Sequence, residues 1–164
     1  MSAARDAVLV LGIGNLLMGD EGVGVHVVRR LLDGGRPIAP DVRVVDGGTL
    51  GLDLLPLISD AGALIVVDAA ELHAEPGAVR ILRDGELDGA MAGHLSVHQV
   101  GLSDLLAVGR LTDGLPARLA LVAIQPGAIE VGVELTPECR AAVPVAVDAI
   151  RGEIDALCAA AAVT

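Results

Sequence analysis

The sequence predicts an α/β fold: an open, mostly parallel five-stranded sheet with helices on both faces. Three observations support this class. Short continuous runs of Val, Ile and Leu suit strands that are covered on both faces. Helical periodicity appears between most of these runs, and a glycine-rich turn joins the first run to the first helix. At 164 residues, we expect a single domain spanning residues 1–164.

Five apolar runs are predicted to be strands: Ala7–Leu11, Val42–Val45, Ala63–Val67, Val79–Leu82 and Leu119–Ile124. The link between the third and fourth runs has about ten residues and contains the turn signal Glu75-Pro76-Gly77. A parallel crossover usually needs a dozen residues or more. The fourth run is therefore a candidate for an antiparallel strand at an edge of the sheet.

Four segments are predicted to be helical: Glu21–Leu32, Gly51–Ile58, Gln99–Val108 and Pro137–Ala162. The first has apolar residues at nearly 3.6-residue spacing and ends at Gly34-Gly35. Gly109 is a candidate C-cap for the third. Pro144 is expected to kink or divide the last helix, since proline removes a hydrogen bond from a helix interior.

The composition excludes several classes of partner. The net charge is −11, and no Phe, Tyr or Trp is present to stack on bases, so we expect no nucleic-acid binding. No apolar run approaches a membrane span, and the N-terminus lacks the layout of a signal peptide, which predicts a cytoplasmic protein without membrane contact. Cys139 and Cys158 have no metal-type spacing and are expected to be small buried or half-buried side chains.

The stretch VLVLGIGNLLMGDEGVGV, residues 8–25, first suggests a nucleotide-binding turn. A dinucleotide fingerprint needs a third glycine where this chain has Leu17, and a P-loop needs a lysine, which the chain lacks entirely. Asp20 and Glu21 stand where phosphate would have to lie, at the start of a helix. Carboxylates in this place suit a cation better than a phosphate.

Three candidate metal ligands map to the carboxyl ends of the predicted strands, where open α/β sheets bind ligands. Glu21 follows the first strand, and Asp68 ends the third. His98 follows Ser96, which with Gln99 fits a capping box, so the imidazole is expected in the first turn of a helix and neutral. Two carboxylates and an imidazole would bind a divalent ion such as Ni²⁺, Zn²⁺ or Mn²⁺.

Each of these residues also has a simpler interpretation. Glu21 could be a helix-dipole acid, Asp68 a cap for the following turn, and His98 a satisfied polar residue. His94 is four residues before His98, but it lies outside the predicted helix, so the pair does not make a zinc motif. The segment Asp46-Gly47-Gly48-Thr49 allows either close approach of a ligand or a tight turn.

Together these motifs resemble the nickel-iron hydrogenase maturation endopeptidases. The family pattern G-x-G-N-x-L-x-x-D-E-x-x-G-V matches residues 12–25, and D-G-G-T-x-G matches residues 46–51. The strand-end aspartate is Asp68, and S-x-H-Q-x-G-L-x-D matches residues 96–104. These elements occur in the order of the family and cover nearly the whole chain.

The resemblance implies that a C-terminal peptide is removed from the hydrogenase large-subunit precursor after nickel insertion. It also implies that Glu21, Asp68 and His98 recognise this nickel, which we expect the substrate to supply, although other divalent ions could occupy the site. Asp20 and Asp46 are candidate supporting acids or bases. We expect a monomer. A non-catalytic nickel-dependent chaperone and a nucleotide-binding module are the alternatives.

Overall fold

The computed structural model describes residues 8–92 and 101–163. Its strands are β1 (Val8–Ile13), β2 (Val42–Gly48), β3 (Ala63–Ala69), β4 (Val79–Arg83) and β5 (Arg118–Ile124). They form a sheet in the order β2-β1-β3-β5-β4, in which only the β4–β5 pair is antiparallel. The predicted fold class, including the antiparallel edge strand, is confirmed.

The helices are α1 (Val23–Asp33), α2 (Leu55–Ser59), α3 (Asp84–Ala92), α4 (Leu102–Leu111) and α5 (Pro137–Ala162). Two 3₁₀ turns, Gly19–Gly22 and Gly51–Leu54, precede α1 and α2. Glu21, predicted as the start of the first helix, therefore lies in a 3₁₀ turn. The helix proper begins two residues later.

The sequence patterns were wrong at three helices. α3 was not predicted, because Gly85 and Gly89 weaken its helical signal. Gly109 lies inside α4 instead of capping it, and an added Cβ there would be 2.5 Å from Leu115 Cδ2, so a larger residue would force the Leu115 side chain to shift. Pro144 does not divide α5, which runs unbroken because its buried stripe packs on both sides of the proline.

Two hydrophobic cores fill the space between the sheet and its helices. On one face, Val8 and Val10 of β1 pack in a cluster with the buried stripes of α1 and α5. On the other face, Leu9 and Leu11 pack with α2, α3 and α4. Because side chains alternate along a strand, the fully apolar β1 serves both cores. Each buried Val, Leu or Ile contributes about 1.5–3 kcal/mol, so aliphatic side chains stabilise the fold without aromatic ones.

Within the described ranges, no helix has the length and apolarity needed to cross a membrane.

Candidate functional site

A crevice of about 150 Å³ lies at the carboxyl edge of β1 and β2. It is bounded by the segments that follow these two strands and by the beginning of α4. The lining residues are Ile13, Gly14, Asn15, Glu21, Gly48, Thr49, Gly51, Leu54, Gly101 and Leu105. Glu21 supplies a carboxylate to this lining and is half-buried. Glu21 thus lies in a crevice at the carboxyl edge of the sheet, and its role as a ligand there stays a prediction.

The glycine-rich turn packs tightly against the backbone of Glu21. Gly14 has a φ of 141°, and an added Cβ would lie 2.1 Å from the carbonyl oxygen of Glu21. Its amide donates to the Gly48 carbonyl over 3.0 Å, which joins the two glycine segments of the crevice. The Asn15 side-chain oxygen accepts from the Leu17 amide at 2.9 Å, an Asx turn that fixes the chain before the acids.

Gly24 brings the start of α1 against the strand that carries Asp68. An added Cβ on Gly24 would be 2.2 Å from the carbonyl oxygen of Val67 and 2.5 Å from that of Ile13. Only glycine permits this approach. Glu21 lies three residues before Gly24 and Asp68 one residue after Val67, so the close packing draws together the two segments that hold these carboxylates.

Asp68 lies near the end of β3 and is 2% exposed. In the sheet it is paired with Ala123 of β5. Strand alternation places it on the same face as Leu64 and Val66, which pack in the core that also contains α4. A carboxylate this deeply buried is costly unless it is compensated, which distinguishes Asp68 from an exposed turn cap.

His98, the third predicted ligand, lies outside the described residues. Gly101, the first residue described beyond that gap, lines the crevice. Within the described residues, no three His, Cys, Asp or Glu side chains form a group that could hold a metal ion. The predicted set of Glu21, Asp68 and His98 therefore stays a prediction.

Asp20 is completely buried and serves as an anchor for a distant loop. Its Oδ2 accepts hydrogen bonds from the amides of Gly127 at 2.8 Å and Ala128 at 3.0 Å, and from Thr136 Oγ1 at 2.7 Å. Its Oδ1 accepts from the Thr136 amide at 2.8 Å. Burial acts to raise the pKa of Asp20, but these hydrogen bonds outweigh it and hold the pKa below its ordinary value. Structural donors occupy the Asp20 carboxylate, and its role as a supporting acid or base stays a prediction.

Asp46 also has a structural partner. The Arg29 Nε and Nη2 atoms lie 2.9 and 2.8 Å from its Oδ2, and both side chains are partly exposed. Gly48 and Thr49 of this segment are among the described residues that line the crevice, whereas Asp46 is not. The D-G-G-T element thus contributes Gly48 and Thr49 to the crevice, while its acid is paired with Arg29 of α1.

Gln125 is a site-supporting residue that the sequence patterns did not reveal. It is buried just beyond β5, and its Oε1 accepts from the Leu72 amide at 2.7 Å and the Ala74 amide at 3.4 Å. Its Nε2 donates to Glu71 Oε2 at 3.3 Å. Gln125 therefore fixes the loop that follows Asp68. A polar residue directly after a buried strand, the signal that identified Asp68, could have identified it too.

Cys139 does not supply a nucleophile. It is fully buried, and its Sγ lies 3.5 Å from the Gln125 carbonyl oxygen as a weak donor. Burial, followed by the negative charge of Asp20, raises the pKa of the Cys139 thiol to about 11. The expectation of a small buried side chain is confirmed for this cysteine.

Comparison with known proteins gives consistent matches. A sequence model of the family described as hydrogenase maturation protease (HycI) matches residues 25–153. The hydrogenase 2 maturation protease of Escherichia coli K12 is 39% identical over 145 residues, which is 87% of this chain and 87% of that protein. The hydrogenase expression/formation protein HupD of Rhodobacter capsulatus is 40% identical over 152 residues, covering 92% of this chain and 67% of that protein.

Solved structures agree with these sequence matches. The hydrogenase maturating endopeptidase HybD from E. coli is similar to this chain with a TM-score of 0.80 at 35% identity. The alignment covers 91% of this chain and 92% of that one. The fold described above is thus similar, over nearly the whole of both chains, to that of a hydrogenase maturating endopeptidase.

Proposed function

Because this chain belongs to the hydrogenase maturation protease family, we propose that it is the endopeptidase that removes the C-terminal peptide from a nickel-iron hydrogenase large-subunit precursor. The observation that carries the proposal is the half-buried Glu21 carboxylate in a crevice at the carboxyl edge of the sheet. A hydrolase acting on peptide bonds is the class to which such relatives belong.

We propose that Glu21, Asp68 and His98 recognise nickel that the substrate already carries. Glu21 lines the crevice, and Asp68 is buried on β3, against which Gly24 packs closely. His98 lies three residues before Gly101 in the sequence. Carboxylate and imidazole ligands suit Ni²⁺ and other borderline divalent ions. The metal thus acts as a recognition element of the substrate, and an unloaded precursor would lack it.

The contribution of these residues to catalysis is positioning. Two carboxylates and an imidazole fixed on the metal centre of the substrate would hold the nearby scissile bond in one place. In that position the substrate's own nickel can polarise the scissile carbonyl or an attacking water. No covalent intermediate on Cys139 is involved, since the high pKa of that thiol keeps it protonated near neutral pH. A cytoplasmic monomer that binds neither nucleic acid nor membrane stays a prediction from the sequence.

The test measures the mass of the large subunit after incubation with this protein. Nickel-loaded precursor should become shorter, and nickel-free precursor should not. Glu21→Gln, Asp68→Asn and His98→Ala should each slow cleavage about 100-fold or more, because misplacing a substrate by about 1 Å has that effect. Asp60→Asn and His73→Ala, which alter exposed residues, serve as matched controls.

Full activity in all three site variants would overturn the nickel-recognition assignment. A precursor that binds the protein but keeps its length would instead indicate a non-catalytic chaperone. A rise in melting temperature with NAD or ATP, without cleavage, would indicate a nucleotide-binding module.

A further inference from the structure

A second cleft, with a volume of about 480 Å³, lies between α1, the first half of α5 and the segment before α5. None of its described lining residues belongs to the crevice that contains Glu21. Its polar lining consists of His26, Arg30, Glu134 and Arg140. Its apolar wall consists of Val133, Leu135, Val143 and Pro144. The volume is in the range of roughly 300–1,000 Å³ that is typical of ligand pockets.

This cleft is lined by two arginines, although the protein as a whole is acidic. The protein has 22 acidic residues against 11 basic ones, yet Arg30 and Arg140 converge here. Arg30 forms no ion pair with any residue in the described ranges. Arg140 Nη2 is 3.8 Å from Glu134 Oε2, and their side chains are 65% and 85% exposed, so this contact is weak and easily exchanged.

His26 adds an unsatisfied polar atom to the same lining. Its Nε2 is buried and has no hydrogen-bond partner in the described part of the chain. Buried polar atoms in native proteins nearly always have a partner. Nε2 is covered by protein atoms, so a group bound in the cleft would reach it only after the imidazole turns. Burial, followed by the nearby Arg29, lowers the pKa of His26, which leaves a neutral imidazole able to donate or accept one hydrogen bond.

We propose that this cleft docks a carboxylate-bearing apolar segment of the hydrogenase precursor, at a place separate from the cleavage site. The guanidinium groups of Arg30 and Arg140 match a carboxylate, and the aliphatic wall accommodates an apolar side chain. The charge complementarity favours an acidic segment, because the rest of this acidic surface repels one. The identity of the occupant rests on the proposed function.

The fold connects this docking site to the crevice. Val133 and Leu135 belong to the loop that Asp20 holds through Gly127, Ala128 and Thr136, and Asp20 is adjacent to Glu21. The Met18–Gly132 bridge fastens the same loop to the turn before the acids. A precursor held in the cleft is therefore held relative to Glu21.

The test compares three variants on nickel-loaded precursor and records both Kd and the steady-state constants. Arg30→Gln with Arg140→Gln should raise Kd and KM about tenfold and leave kcat unchanged, because only docking is lost. Glu134→Gln should lower Kd about two- to threefold, because it removes a carboxylate that competes with the ligand for Arg140. Arg36→Gln with Arg118→Gln removes the same charge from exposed positions elsewhere and should stay within about twofold of the wild type.

Each outcome decides at least one of the two proposals. If the wild type cleaves and the paired cleft variant has unchanged Kd and KM, the docking site is overturned. Equal losses in the two double variants would also overturn it, since net charge alone would explain them. If the wild type binds without cleaving and the cleft variants still shift Kd in opposite directions, the docking site stands and the proposed function fails. A wild type that neither binds nor cleaves overturns both.

Discussion

Replacing Asp20 by alanine is expected to lower the free energy of unfolding by about 3 kcal/mol. The carboxylate accepts four hydrogen bonds of 2.7–3.0 Å, and each bond to a charged acceptor contributes roughly 1.5 kcal/mol or more. The change in the free energy of unfolding should be smaller than the sum over the four hydrogen bonds. Gly127 is exposed and Thr136 is only half-buried, so water can replace some of these bonds. Asp20→Asn should cost about 2 kcal/mol, since an amide nitrogen would face a backbone amide.

The same hydrogen bonds give this contribution a characteristic pH dependence. They hold the pKa of folded Asp20 below its ordinary value of 3.8, although burial acts in the opposite direction. A carboxyl group whose pKa is lower in the folded state stabilises the protein above the unfolded pKa and loses this effect as the pH falls through the folded one. The difference between wild type and Asp20→Asn should therefore be complete at pH 7 and shrink below about pH 4.

Urea denaturation followed by circular dichroism, at pH 7 and at steps down to pH 3, measures both effects. Asp46→Asn is the matched control, because its ion pair with Arg29 is partly exposed and should contribute less than about 1 kcal/mol. A loss below about 0.5 kcal/mol for Asp20→Ala, or a difference that grows in acid, would refute the assignment of Asp20 as the anchor of the loop.

Three further predictions test other parts of the structure. Gly24→Ala should destabilise the fold by at least about 2 kcal/mol, because the added methyl group has no space. Gly152→Ala has open space around it and should be neutral or stabilising by up to about 1 kcal/mol. Equal effects of the two substitutions in thermal melts would contradict the packing argument. Glu153→Gln should lower the free energy of unfolding, measured by urea denaturation, by about 1–3 kcal/mol, because buried Glu153 accepts a hydrogen bond from Arg83 Nε at 3.1 Å. A change below about 0.5 kcal/mol would contradict a stabilising role for this bond. Cys139 should resist a thiol reagent at pH 7.5 until the protein unfolds, because burial raises its pKa to about 11; rapid labelling of two thiols in native protein would disprove this.

The strands and the sheet edge could be predicted because their signals are local. Each buried strand is a continuous aliphatic run, and Asp68 is recognisable as the polar residue that ends one. Helix α3 was missed because it contains two glycines and, among its described side chains at residues 84–91, Leu87 alone is buried, which leaves little periodic signal. Gln125 was missed although its position resembles that of Asp68, since its partners Leu72 and Ala74 lie some 50 residues away.

The roles of the adjacent acids could not be separated from the sequence for the same reason. Asp20 and Glu21 are both acids at a helix start, which the helix dipole favours equally. What distinguishes them is a loop more than 100 residues later, whose donors surround one carboxylate and leave the other in the crevice. The sequence pattern shows two adjacent acids at the start of a helix. Only the tertiary contacts show which of them anchors the loop.

The 3₁₀ turn that carries these acids also explains why the glycine motif does not make a phosphate site. An anion bound at a helix start uses backbone amides that have no other partner. Here the amides of Gly19 and Asp20 donate to the carbonyls of Gly132 and Ala128 at 2.9 and 3.2 Å, and that of Glu21 donates to Met18 at 3.2 Å. The close packing that a third glycine gives a dinucleotide fold is supplied by Gly24. With its amides occupied and a carboxylate beside them, the turn presents negative charge to the crevice, which fits the proposed recognition of a metal-bearing substrate.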